Sequence, residues 1–306
     1  MKWNTQKIDC FIPYTSKEQS AVTIQSLKDS GMVNQIFLLS SEPVENAEYP
    51  VLVSPSLYHT DTLMRILQSV TTEYFLIYFK EDPLKLEQSV IQRMHTIAKC
   101  NCYAWVYSDY YAIENGQEVA APLIDCQRGS VRDDFDMGAF SLIHSHLVKD
   151  YFDFKPVKRT VLKYAAWYEL RLLLMEGSKN YIYHLQEKSY TVLESDLRKS
   201  GEKQFDYVNP AMREVQIEME QAFTLWLEEQ GLRLCPDMIR AADVDLIINT
   251  PKDKAGRADH FRIMSAAIDY SIPYVSTVFG AEAAVKAIEA MKEKTITIEP
   301  LSHYIR

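Results

Sequence analysis

Glycine is scarce in this chain: nine residues in 306, about 3% where about 7% is usual. The sequence contains no G-x-G-x-x-G and no G-x-x-x-x-G-K-[ST]. Both loops need glycine so that backbone amides can close on phosphate, so neither a Rossmann dinucleotide site nor a P-loop is expected. Positive charge is also short. Lys and Arg number 33 against 42 Asp and Glu, a net charge of −9, which argues against a nucleic-acid partner held through its phosphates. No run of 18 apolar residues is present, so no membrane span is expected. The opening residues Met1 to Lys7 lack the apolar stretch of a signal peptide. The five cysteines (Cys10, Cys100, Cys102, Cys126, Cys235) are odd in number and scattered. Only Cys100 and Cys102 are close, with no second pair or His set to complete a zinc site, so buried free thiols in a reducing cytoplasm are expected.

What is present is a chain 47% apolar and 25% charged, enough to bury a sizeable core. Its length suggests about two domains, and composition places their boundary. Residues 231–306 hold ten basic and ten acidic residues, so the whole −9 lies in 1–230. Alanine concentrates after Gly231 and tyrosine before it. The expected organisation is therefore 1–230 and 231–306. In the first unit, strands are expected at Ile8–Pro13, Gln35–Leu39, Val51–Val53, Glu73–Phe79, Tyr103–Tyr107 and Val119–Leu123. Helices are expected at Ser16–Ser30, Asp61–Ser69, Leu86–Ala98, Val161–Met175 and Ala211–Glu229. This alternation predicts an α/β fold with a mainly parallel sheet covered by helices, and ligands at the carboxyl ends of its strands. The second unit reads strand Val244–Asn249, helix Asp259–Tyr270, strand Tyr274–Thr277, helix Ala281–Met291 and strand Thr295–Glu299.

Five segments in order resemble family 2 glycosyltransferases of the GT-A fold. They are Ile12-Pro13-Tyr14, the run Thr72 to Phe79, Val106 to Tyr111 with Asn115-Gly116, Gly129 to Gly138, and Tyr164 to Leu172. The resemblance covers about residues 7–225 and implies a nucleotide-diphospho-sugar transferase sheet with helices on both faces. It also implies a nucleotide-sugar donor, a glycan acceptor and a divalent Mg or Mn ion on the leaving diphosphate. Pro13 and Tyr14 would open the nucleotide pocket, with Tyr14 stacking on the base or packing in the core. The family's metal-binding D-x-D falls on Phe79-Lys80-Glu81-Asp82. Glu81 and Asp82 could hold the metal, Lys80 could offset diphosphate charge, or the stretch could be a solvated acidic turn. Asp109 and Asp134 would face the sugar; alternatively Asp109 caps a turn and Asp134 belongs to an Arg132–Asp network. Glu169 takes the place of the acid that deprotonates the acceptor hydroxyl, or is a surface acid paired with Arg171 or Arg198. His144 and His146, two apart as on a strand, read as structural.

Asp243 to Pro251, Asp259, Arg262, Ala266-Ala267, Ile272 to Thr277 and Ala281 resemble the allosteric carboxyl-terminal domain of the carbamoyl-phosphate synthase large chain, a methylglyoxal-synthase-like domain, over about residues 237–300. Only part of that domain has a counterpart, and no ATP-grasp region is recognised, so carbamoyl phosphate synthesis is not expected. The resemblance implies a phosphorylated effector held by Asn249, Thr250, Ser276 and Thr277; as helix caps and turn formers these residues have an equally ordinary reading. Three functions stay open: a sugar transferase, a GT-A-like binding module without catalysis, and a phosphorylated-metabolite-binding regulatory domain.

Overall fold

The computed structural model describes residues 6–114, 116–127, 129–154, 161–175, 181–193, 213–231, 244–249 and 256–293. The chain divides into two units, Met1–Trp226 and Leu227–Arg306.

The first unit is built on a seven-stranded sheet. Its strands are β1 (Ile8–Pro13), β2 (Val33–Ser40), β3 (Val51–Val53), β4 (Tyr74–Tyr78), β6 (Trp105–Ser108), β9 (Phe140–His144) and β10 (Ile182–Leu185), in the order β10-β6-β9-β4-β1-β2-β3. All pairings are parallel except those of β9, which runs antiparallel to both β4 and β6. A smaller sheet joins β5 (Leu84–Leu86), β11 (Tyr190–Val192), β7 (Tyr110–Glu114) and β8 (Gln117–Ala121) in that order. β7 and β8 form a hairpin around Gly116.

The period of two along each strand divides the core. Phe11, Phe37, Phe75, Ile77, Trp105 and Tyr107 face one side and pack with helices α2 (Thr60–Ser69) and α5 (Ala166–Leu174). Cys10, Ile12, Leu76, Tyr78 and Val106 face the other and pack with α1 (Lys17–Asp29) and α3 (Val90–Asn101). Strands buried on both faces explain the continuous apolar run at β4. Phe11 ties three neighbouring strands, stacking on Phe37 at 4.8 Å and meeting Phe75 edge-on at 5.6 Å.

Several boundaries differ from expectation for local reasons. Leu86, expected to open a helix, instead ends the strand Leu84–Leu86, because Leu84 and Leu86 donate their amides to Thr23 and Ser26 of α1 and pair with β11. Helix α4 (Ser145–Phe154) begins directly after β9. His144 thus ends a strand and His146 lies on a helix, paired with Asp150 at 2.8 Å. Helix α5 starts at Ala166 rather than Val161. Residue Ala165 offers no side-chain cap; instead Glu218 of α6 (Arg213–Glu229) accepts hydrogen bonds from the amides of Lys163, Tyr164 and Ala165 at 2.9, 2.6 and 2.9 Å.

The second unit contains β12 (Ile247–Ile248) paired in parallel with β13 (Tyr274–Val275), and helices α7 (Gly256–Asp269) and α8 (Val278–Glu293). Among its described residues Ile247 and Ala267 are buried, with Ile263, Ile272 and Tyr274 packed against them. The strand expected at Thr295–Glu299 lies outside the described residues. Among the described cysteines, Cys10 and Cys126 are buried, whereas Cys100 and Cys102 at the end of α3 are exposed, contrary to expectation. No helix of the described residues is long and apolar enough to cross a membrane.

Candidate functional site

Among the parallel strands of the seven-stranded sheet the order reverses direction once. From β1 the chain steps outward to β2 and β3, then returns to β4 on the other side of β1. Such a switch point opens a crevice at the carboxyl ends of the strands. That edge gathers the residues after β1, β4, β6 and β10. Because β9 runs the opposite way, it also gathers the loop that enters β9.

Pro13 closes β1, and the Tyr14 amide continues the ladder to Leu39 O at 2.9 Å. Tyr14 is half-buried against the α1–α3 side of the core. Next along the edge, Phe79 donates its amide to Ala139 O at 2.8 Å, and the Tyr78 hydroxyl donates to Asp82 O at 2.7 Å, so the loop after β4 is pinned at both ends. Phe79 meets Trp167 edge-on at 5.1 Å and stacks with Tyr58 at 6.5 Å. The first position of the D-x-D slot is therefore spent on packing. The Lys80 ammonium lies 5.7 Å from the Tyr110 ring centroid. Glu81 is exposed and Asp82 half-buried. Among the described residues no three His, Cys, Asp or Glu side chains form a metal-holding group.

Asp109 stands beyond β6, and its carboxylate Oδ1 accepts from the Leu123 amide at 2.7 Å and lies 2.8 Å from His184 Nε2. The other ring nitrogen, Nδ1, lies 2.8 Å from Asp125 Oδ1. Tyr107 stacks on the imidazole at 4.7 Å; its hydroxyl donates to Ile124 O at 2.5 Å and accepts from the Cys126 amide at 2.8 Å. Hydrogen bonds from His184 and Gln186 hold the Asp125 carboxyl below the usual carboxylate range. Burial pushes the Cys126 thiol up to about 11 and raises the Tyr107 hydroxyl well beyond its ordinary value.

The loop entering β9 carries Asp134, which accepts two hydrogen bonds from Arg132 at 2.8 and 2.6 Å, both side chains being exposed. This loop is anchored from beneath by Arg171 of α5. Its guanidinium, only 3% exposed, donates to the carbonyls of Arg132 and Phe135 and lies between the Phe135 and Tyr168 rings at 5.0 and 5.2 Å. Burial lowers the Arg171 pKa from its ordinary value. Glu169 lies in the first turn of α5, where the helix dipole favours a carboxylate. Two residues apart on a helix, Glu169 and Arg171 point in different directions. The first turn of α5 is fixed to the loop after β3 by Ala166 N to Tyr58 O at 3.2 Å and Trp167 Nε1 to Leu57 O at 2.9 Å.

Pro13, Tyr14, Lys80, Glu81, Asp82, Asp109, Asp134 and Glu169 thus lie on segments that converge on the carboxyl edge. Sequence reasoning missed His184, Asp125, Tyr58 and Glu218. A signal for His184 exists: it is the polar residue in the otherwise apolar run Tyr181-Ile182-Tyr183-His184-Leu185.

In the second unit, Asn249 and Ser276 follow β12 and β13 at the same edge of that pair, with Asn249 N bonded to Val275 O at 2.9 Å. Thr277 caps α8, its hydroxyl accepting from Gly280 N at 3.0 Å. Thr250 lies outside the described residues.

Residues 197–276 match the MGS-like domain family. The match begins upstream of residue 237 and takes in α6. Part of the chain is 74% identical over 68 residues to the carbamoyl phosphate synthase large chain of Methanocorpusculum labreanum, 22% of this chain and 6% of that one. The large chain of Archaeoglobus fulgidus is 44% identical over 75 residues, 24% of this chain and 7% of that one. The chain therefore spans only a small fraction of these relatives. Among solved structures, S. aureus TarS 1-349 is similar with a TM-score of 0.48 at 12% identity, covering 75% of this chain and 84% of that one. A 4-diphosphocytidyl-2C-methyl-D-erythritol synthase from Anaerococcus prevotii is similar with a TM-score of 0.39 at 9% identity, covering 69% and 100%.

Proposed function

We propose that the first unit binds a nucleoside diphosphate-sugar at the carboxyl edge between β1 and β4 and transfers the sugar to an acceptor hydroxyl of a glycan. The observation that carries this reading is the strand-order reversal, which sets Pro13 and Tyr14 beside the loop of Lys80, Glu81 and Asp82. Tyr14 would stack on the base and Lys80 offset diphosphate charge. Glu81 and Asp82 are too few to cage a metal alone, but two carboxylates together with substrate phosphates are a usual way to hold Mg, and Mn would be held likewise. Asp109 and Asp134 would face the sugar, and Glu169 would take the acceptor proton. Free thiols at Cys10 and Cys126 accord with a cytoplasmic setting.

Calorimetric titration with UDP and GDP, with and without Mn, tests this reading. Binding that strengthens with Mn and weakens roughly 2- to 12-fold in Tyr14→Ala, the worth of one aromatic stack, is expected. Absence of binding under every condition overturns it.

A second reading, a module that binds the nucleotide-sugar without transferring it, is favoured by the packing of Phe79 at the D-x-D slot. Nucleotide binding unaccompanied by sugar transfer would favour it, whereas transfer unaffected by Glu169→Gln would remove only the assignment of Glu169 as base. For the second unit we propose a phosphorylated ligand at Asn249, Thr250, Ser276 and Thr277, supported by the MGS-like match. Binding of IMP, UMP or inorganic phosphate that is lost in a Thr250→Ala, Thr277→Ala variant is the expected result; unchanged binding in that variant overturns the assignment.

A further inference from the structure

The contacts of His184 ask for more protons than a neutral imidazole has. Its side chain is 3% exposed, and each ring nitrogen lies 2.8 Å from a carboxylate oxygen, Nε2 from Asp109 and Nδ1 from Asp125. A neutral imidazole has one N–H and one lone pair, so it can donate to one of these carboxylates and must oppose the other. With both carboxylates ionised, both contacts are favourable together only when each nitrogen carries a proton. Tyr107, stacked on the imidazole with planes 9° apart, fixes the plane of the ring.

We propose that His184 is a two-proton clamp that joins the buried Asp109 to the exposed Asp125 and fastens residues 123–126 along the carboxyl edge, and that loss of one ring proton releases the clamp at Asp125. The Asp125 end opens first for a physical reason. The Asp125 side chain is 51% exposed, so water can replace the imidazole there, whereas Asp109 is 12% exposed and also accepts from Leu123 N. Release changes the wall of a cavity of about 460 Å³ lined by Leu123, Ile124, Asp125, Gln127, Ser130 and Gln186. The groups that set this equilibrium come from every neighbouring element. Asp109 follows β6, Tyr107 lies on β6, Asp125 and Cys126 lie on the segment itself, and Arg171 of α5 acts on both Tyr107 and Cys126. Tyr107 and Cys126 stay neutral because burial raises both.

The contacts of the clamp are present without any bound ligand, so it is tested on the full chain with none added. Nitrogen-15 spectra of the histidine rings should show two hydrogen-bonded N–H protons on His184 near neutral pH. Asp125→Ala, a change at an exposed position, should retain the Nε2 proton and lose the Nδ1 proton. His184→Gln, if it folds, should remove both signals and so identifies them; selective histidine labelling serves if it does not. As pH rises, the Nδ1 proton should disappear first while exchange of the Asp125 and Cys126 amides accelerates. A single ring proton throughout about pH 5–8, or both protons surviving in Asp125→Ala, overturns the clamp. Titrating UDP against the same variant reports on the proposed nucleotide site separately.

Discussion

At the scale of single residues, the carboxyl edge is shaped by positions whose side chains are fully committed. Gly138 has φ of +70°, and a Cβ there would lie 2.5 Å from the Tyr190 hydroxyl and 3.2 Å from Leu123 Cδ1. That hydroxyl also receives the Ala139 amide at 2.8 Å, so it cannot withdraw freely. Gly138→Ala should therefore cost about 2 kcal/mol or more, from left-handed strain and crowding together, read as a lower urea midpoint at unchanged slope. Asp125 makes a pH-dependent contribution whose sign follows from its lowered pKa. A depressed carboxylate contributes stability above its unfolded value, about 3.9, and loses it as pH falls through the folded value. The stability difference between the wild type and Asp125→Ala should therefore be present near pH 6 and vanish in strong acid. A difference that persists there would refute the His184 and Gln186 bonds as its source.

Among the elements, α5 and α6 are joined through one carboxylate. Glu218 satisfies three amides at the entrance of α5, where Ala165 supplies no cap. Charge-assisted bonds to orphan amides are among the stronger ones, and leaving such groups without a full acceptor costs about 1–3 kcal/mol. Glu218→Gln should lower the melting temperature and speed hydrogen exchange at Lys163 to Ala165 while α1 and α3 keep their protection. Val161 to Ala165 have a helical composition, yet α5 begins only at Ala166, because Thr60 and Glu218 take the amides of Leu162 to Ala165 before a helix can. The strand at Leu84–Leu86 was hidden in the same way, by side chains of α1 more than 50 residues away in sequence.

For the whole molecule, the two units have separate cores, one organised on both faces of a seven-stranded sheet and one around Ile247 and Ala267. Scanning calorimetry should show two transitions, the smaller and lower-melting one belonging to Leu227–Arg306, since unfolding enthalpy scales with chain length and small cores are weak. One cooperative transition with a single enthalpy would contradict this. The sequence by itself determined the α/β alternation, the absence of glycine-rich phosphate loops and the likeness of the second unit to an MGS-like domain. Those features are local or compositional, and periodicity records them directly. Tertiary structure alone decided that β9 inserts antiparallel between β4 and β6, that Phe79 is packed against Trp167 and Tyr58, and that Asp109 meets His184 from 75 positions away. A strand's neighbours and a buried ring's partners depend on which distant surfaces exclude water together, and no short stretch of sequence contains both halves of such a contact.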